Sequence, residues 1–158
     1  MKIVVKFGGS SLASAEQFKK VGKIIKKDEA RKYVIPSAPG KRTPDDTKVT
    51  DLLYSCYGQA ILEEDECEEN FESLLAAIKK RYEEIISGLG LTLSLDDEFR
   101  TIRENFSKKI GRDYAASRGE YLNGIIMAAY LGYEFIDAAE VILFDAAGNF
   151  DAEKTDKL

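Results

Sequence analysis

Lys6-Phe7-Gly8-Gly9-Ser10-Ser11 brings a cation, two glycines and two hydroxyls together in one short segment. If a strand ends at the glycines and a helix begins after them, exposed amides and the helix dipole can hold phosphate oxygens. The lysine can then neutralise charge that moves in a transfer. The order matches neither Gly-x-x-x-x-Gly-Lys-Ser/Thr nor Gly-x-Gly-x-x-Gly. A Gly-Gly pair between strand and helix is, by itself, more often a plain turn. A second group runs from Ser37-Ala38-Pro39-Gly40 through Lys41 and Arg42 to Thr50-Asp51. Ser37 and Thr50 offer hydroxyls for a small polar ligand; the plain alternative is a turn followed by a helix start. A third is Ser117-Arg118-Gly119-Glu120. Gly119 falls inside a helical pattern, where glycine costs about 1 kcal/mol against alanine, so something close by can require its missing side chain. Glu120 can bind a substrate ammonium; alone, it reads as an exposed helix charge.

The composition narrows the chemistry. Of 158 residues, 44% are hydrophobic and 32% charged, which suits one compact domain with a real core. The net charge of −5 speaks against a general nucleic-acid binder. There is no histidine, so Ser-His-Asp triads, Cys-His pairs and histidine-ligated zinc or haem are excluded within the chain. Cys56 and Cys67 form no Cys-x-x-Cys and fall where helical periodicity predicts packing or surface, which fits a reducing cytoplasm. The longest apolar runs are strand-sized, and the N-terminus lacks signal-peptide anatomy, so no membrane association is expected.

The elements that must position these groups follow from periodicity. Residues 2–7 read as a buried strand and 15–27 as a helix with Phe18, Val21, Ile24 and Ile25 on one face. Ser14 and Gln17 have capping-box spacing. Residues 33–37 read as a second strand, which makes a parallel βαβ unit. Both the Gly-rich segment and the Ser37 segment then leave carboxyl ends of strands, the edge where open α/β sheets bind ligands. Residues 38–48 are a polar loop. Val49, Leu53, Cys56 and Tyr57 begin a helix; Phe71, Ile78, Tyr82 and Ile86 mark another, with Gly88 as its stop. Ser94 and Asp97 suit the cap of a helix carrying Phe99, Ile102, Phe106 and Ile110. One more spans about 114–131 and stops at Gly132. Short strand-like runs at Phe135-Ile136 and 141–144 close the chain. The acidic run 63–72 reads as a solvated helix face and not as a metal site.

Taken together, the three motifs resemble the aspartate kinase family of the amino-acid kinase superfamily. Lys-Phe-Gly-Gly-Ser-Ser-Leu resembles its N-terminal signature. Val34-Ile35-Pro36-Ser37-Ala38 with Val49-Thr50-Asp51-Leu52-Leu53 resembles its second-strand segment and the helix start that follows. Ser117-Arg118-Gly119-Glu120-Tyr121-Leu122 resembles its Gly-Glu-x-Leu motif. The resemblance covers essentially the whole chain. It implies a helix-rich three-layer αβα fold with a mainly parallel sheet, of which residues 1–158 are the N-terminal, substrate-binding lobe. It implies ATP-dependent phosphorylation of the L-aspartate side-chain carboxylate to 4-phospho-L-aspartate, which feeds lysine, threonine and methionine synthesis, with Mg2+ accompanying the nucleotide. Lys6 takes the catalytic-lysine role. Lys6, Phe7, Gly8, Gly9 and Ser10 line the ATP-phosphate loop. Ser37, Thr50 and Glu120 border or contact aspartate, Glu120 through its ammonium. A homo-oligomer is implied for the full-length enzyme.

Two departures shape the expectation. The link over residues 39–48 is longer and more charged than the family's usual short Gly-rich link, so Lys41 or Arg42 can contact ligand or cover the site. The chain also stops before the family's second half, which carries most of the adenine-nucleotide site, and before its regulatory ACT domains. The lobe is therefore expected to be inactive alone. A carboxylate nucleophile is already ionised at neutral pH, so a chain without histidine lacks nothing this transfer needs. Competing readings are a kinase of another small acid, such as glutamate, acetylglutamate or carbamate, and a non-catalytic ligand-binding or oligomerisation module.

Overall fold

A computed structural model describes residues 2–62 and 65–157, with the side chains of Asp65, Glu66 and Cys67 outside that description. The expectations for Cys67 and for the start of the acidic run therefore lie outside the described residues. Strand β1 (Ile3–Phe7) and strand β2 (Arg31–Pro36) pair in parallel, joined through a 3-10 turn at Gly9–Leu12 and helix α1 (Ala15–Lys26). Alternation along the strands sorts their side chains. Val5, Phe7 and Val34 pack against the core, whereas Val4, Lys6, Tyr33 and Ile35 lie exposed on the opposite face. The register sets Val4 beside Tyr33 and Lys6 beside Ile35.

The rest is helical: α2 (Val49–Ala60), α3 (Asp65–Leu89), α4 (Asp96–Ser107), α5 (Arg112–Leu131), and the short α6 (Ala138–Val141) and α7 (Ala152–Thr155). Helix α2 packs against α3 and α5, and α5 reaches β2. The apolar stripes are buried as their spacing demands, except that Ile24, expected on the inward face of α1, is 46% exposed. Phe18, Leu53, Cys56, Ile78, Tyr82, Ile102, Phe106 and Leu122 are all fully or almost fully buried in one cluster. Phe106 is its aromatic hub, with ring centroids 5.4 Å from Tyr57 and 6.2 Å from Tyr114. Burial pushes the Cys56 thiol up to about 12, with Glu72 adding to the shift, so Cys56 is an inert packing residue.

Several local expectations need correction. Ser14 does sit at the N-cap of α1, but its side chain makes no cap hydrogen bond. Gly88 does not stop α3: the helix runs on to Leu89, and Gly90 takes the left-handed turn at φ 71°. Gly88 is instead a contact, because a Cβ there would come 2.6 Å from the Cβ of Ala15. Ile110 lies beyond the end of α4 and is 53% exposed. The two closing strands do not form among the described residues. Phe135-Ile136 is irregular, Ala138–Val141 is a helical turn, and Phe144 makes only an isolated antiparallel bridge to Phe150. A short apolar run becomes a strand only where a neighbouring strand pairs with it, and a single sequence does not reveal that partner. Gly132 does end α5, at φ 72°.

Tyr82 is completely buried and donates its hydroxyl to the Gly119 carbonyl at 2.9 Å. Burial raises its phenol well above the usual range, and the Glu120 charge adds to this. Tyr82→Phe keeps the ring and removes only the hydrogen bond. The expected cost is about 1 kcal/mol of unfolding free energy, read from a urea melt of the 158-residue chain. A loss well above that would mean that the hydroxyl holds more than this one carbonyl.

Candidate functional site

The three motifs meet at the carboxyl ends of the two strands. The Ser37 amide donates to Phe7 O at 3.0 Å, which carries the parallel pairing one residue beyond the strands. The Ala38 amide donates to Glu120 Oε1 at 3.2 Å, across 82 residues of sequence. The Gly40 amide donates to Gly9 O at 2.8 Å, and the Val49 amide donates to Pro39 O at 3.1 Å. The Gly-rich turn, the Ser37–Gly40 exit, the start of α2 that carries Thr50, and the middle of α5 that carries Glu120 are thereby one connected structure.

Glycine is required at the closest approaches. A Cβ on Gly40 would stand 2.6 Å from Gly9 C and 2.7 Å from Ser10 N, backbone atoms that cannot swing aside. On Gly119 it would stand 2.7 Å from the Cβ of Ala38. That explains a glycine in the interior of α5: it lets the helix approach the exit of β2, and so carries Glu120 to the Ala38 amide.

The side chains differ in setting. Lys6 and Glu120 are exposed, as is Ser10; Phe7, Gly8, Gly9, Ser37 and Thr50 are half-buried. Lys6 makes no ion pair among the described residues, so its charge is available to an anion. Glu120 uses one carboxylate oxygen on Ala38. Gly9 and Ser10 open the 3-10 turn, and the first amides of such a turn have no acceptor within it.

Lys41 and Arg42 are held by other partners. Lys41 Nζ donates to Pro44 O at 3.2 Å. Arg42 pairs with Asp46 and Glu84, each at 2.9 Å. Beside Glu120, Arg118 lies over the rings of Tyr114 and Tyr121, each at 4.5 Å, and its guanidinium donates to Ser117 Oγ. Ser117 and Arg118 are thus occupied with helix-surface contacts. Two buried residues beneath the loop are not evident from the motifs: Arg81, which is 4% exposed, and Asn123, which is wholly buried. Asn123 Nδ2 donates to Ser37 O at 2.6 Å. Its place on the buried stripe of α5, beside Leu122 and Ile126, is the one sequence signal for it.

A cleft of about 510 Å³ lies elsewhere, between the end of α3 and the start of α4. No candidate residue lines it. Among the described residues no cluster of three acidic or cysteine side chains could hold a metal ion. No helix among them is long and apolar enough to cross a membrane.

A model of the amino acid kinase family matches residues 1–157. Aspartokinase 3 of Bacillus subtilis is 40% identical over 149 residues, which cover 90% of this chain and 32% of the relative. The crystal structure of Clostridium acetobutylicum aspartate kinase superposes with a TM-score of 0.88 at 50% identity, over 99% of this chain and 35% of that one. Escherichia coli aspartokinase III, solved in complex with aspartate and ADP, shares the fold at a TM-score of 0.76 and 19% identity, over 100% of this chain and 36% of that one. The chain therefore spans about a third of the length of these relatives.

Proposed function

This chain belongs to the amino acid kinase family, and from that premise we propose that it is the N-terminal, substrate-binding part of an aspartate kinase. The reaction is ATP-dependent phosphorylation of the L-aspartate side-chain carboxylate, giving 4-phospho-L-aspartate and ADP, at the head of lysine, threonine and methionine synthesis. The observation that carries the reading is the hydrogen bond from the Ala38 amide to Glu120. It joins the second and third motifs beside the glycine turn of the first, on the edge of the sheet where ligands bind.

In this reading the carboxylate oxygen of aspartate attacks the γ-phosphorus, and the bond from that phosphorus to the β-phosphate bridging oxygen breaks. No general base is needed, because the nucleophile is already ionised. Catalysis then rests on positioning and charge neutralisation. Lys6 supplies positive charge to the transferring group, and the turn at Gly8, Gly9 and Ser10 holds phosphate oxygens. Glu120 receives the substrate ammonium, and Ser37 and Thr50 offer hydroxyls beside it. The donor set fits a nucleotide's phosphates. Mg2+ fits as a companion of ATP, since phosphates and one or two carboxylates commonly hold it.

The exposed sheet face also supports the domain reading. Val4 is 64% exposed, Ile35 52% and Tyr33 45%. An apolar sheet face is stable when another layer covers it, and in a three-layer kinase domain the remaining polypeptide supplies that layer. Homo-oligomeric assembly and a cytoplasmic setting complete the proposal.

The test is ADP release by the full-length enzyme offered L-aspartate, L-glutamate, N-acetyl-L-glutamate and carbamate in turn. Turnover with L-aspartate well above the others is expected. Preference for another acid would move the substrate while leaving the family. No turnover with any of them would favour a binding or oligomerisation module.

A further inference from the structure

Residues 37–48 leave the sheet as a charged loop, yet their backbone is gripped from below at three carbonyls. Arg81 of α3 donates to Thr47 O at 2.9 Å and to Gly40 O, and pairs with Asp46 at 3.0 Å. Asn123 of α5 holds Ser37 O. Asp46 also accepts from the Arg42 amide at 2.8 Å and from Arg42 Nε at 2.9 Å. Hydrogen bonds from Arg42, with the charge of Arg81 behind them, hold the Asp46 carboxyl far below the usual carboxylate range.

A buried guanidinium is an inefficient way to stabilise a fold, because desolvation offsets much of its attraction. Arg81 shows this directly: its Nε is buried without a hydrogen-bond partner among the described residues. What Arg81 does accomplish is geometric. It fixes the Gly40 carbonyl from one side while the Gly40 amide is bonded to Gly9 O at 2.8 Å on the other. Gly40 is thus held between a buried cation and the glycine turn.

We propose that Arg81, with Asp46 as its counter-ion, is a positioning residue that presses Gly40 onto Gly9 and so sets the turn that receives the transferring phosphoryl group. At 4% exposure Arg81 does not touch ligand itself. The role of the turn rests on the aspartate kinase reading; the grip itself does not.

Two measurements on the same variants separate these. In the 158-residue chain, Arg81→Lys keeps the charge but loses the fork that spans two carbonyls. Amide hydrogen exchange at Gly40 is then expected to quicken by about tenfold or more, with Leu122 and Ile126 unchanged as reporters of the intact fold. Asp46→Asn, at a less buried position, should quicken Gly40 in the same direction and covers the case in which the Arg81 variant fails to fold. In the full-length kinase, both variants are expected to lower kcat, Arg81→Lys by about tenfold or more, with the KM for aspartate nearly unchanged. Unchanged Gly40 exchange in both variants would overturn the grip. Faster exchange with unchanged kcat would reduce Arg81 to a structural residue and overturn the positioning role. A wild-type enzyme that does not phosphorylate aspartate would sink the functional reading instead, while Gly40 exchange still decides the grip.

Discussion

Lys6→Ala in the full-length kinase is expected to lower kcat by about 10²- to 10³-fold, equivalent to about 2.7–4 kcal/mol of lost transition-state stabilisation. The reason is the placement of the ammonium. Lys6 is on the exposed face of β1, one residue before the strand ends and two before the first glycine of the turn. It makes no ion pair among the described residues, so no internal carboxylate competes for it. Phosphoryl transfer spreads charge over the moving group, and a fixed cation acts more strongly there than on the ground state. The fall should appear equally in kcat and kcat/KM, because the proposed interaction is one made mainly in the transition state. The unfolding midpoint should hardly move, since an exposed substitution without partners costs within about 0.5 kcal/mol. Lys6→Arg should recover only part of the rate, because the guanidinium fork places its charge differently from a compact ammonium. Steady-state kinetics with a thermal melt on each variant decide the matter. Unchanged turnover in Lys6→Ala would remove the phosphate-loop assignment.

How far the fold was legible depended on whether the partner of each residue lies near it in sequence. Helices α1 to α5 announce themselves because their apolar stripes repeat every three or four residues, and burial follows those stripes except at Ile24 and Ile110. The β1–α1–β2 unit is equally plain, because two apolar runs flank an amphipathic helix. The runs near Phe135 and Phe144 carry strand-like composition too, but their fate depends on a paired neighbour, and Phe144 finds only Phe150. The candidate site divides in the same way. Residue types marked Lys6, Gly9, Thr50 and Glu120. The contact between Glu120 and Ala38 bridges 82 positions and has no local signature. Arg81 was hidden most effectively. It follows Lys79 and Lys80 on a charged stretch of α3, and its partners, Gly40 and Thr47, lie 41 and 34 residues away. A buried arginine looks like a surface arginine until the loop above it is placed.

Glu120→Gln should raise the KM for aspartate by about 10- to 150-fold while kcat at saturation stays close to wild type. That range is what a hydrogen bond to a charged group, about 1.5–3 kcal/mol, converts to at 1.4 kcal/mol per tenfold. The amide is the informative substitution because Glu120 has one contact in the structure and one proposed task. One oxygen accepts from the Ala38 amide at 3.2 Å, and a glutamine carbonyl oxygen can continue to do so. The negative charge that would attract a substrate ammonium cannot be replaced by a neutral amide. Gln therefore isolates the charge, whereas Glu120→Ala also strips the Ala38 amide of its acceptor and loosens the exit of β2. N-acetyl-L-aspartate supplies the complementary test, because its nitrogen carries no charge. Wild type should discriminate strongly against it, and Glu120→Gln should narrow that discrimination by about the same factor as it raises the aspartate KM. If Gln leaves both the KM and the discrimination unchanged, Glu120 serves only to hold Ala38, and the ammonium must be recognised elsewhere.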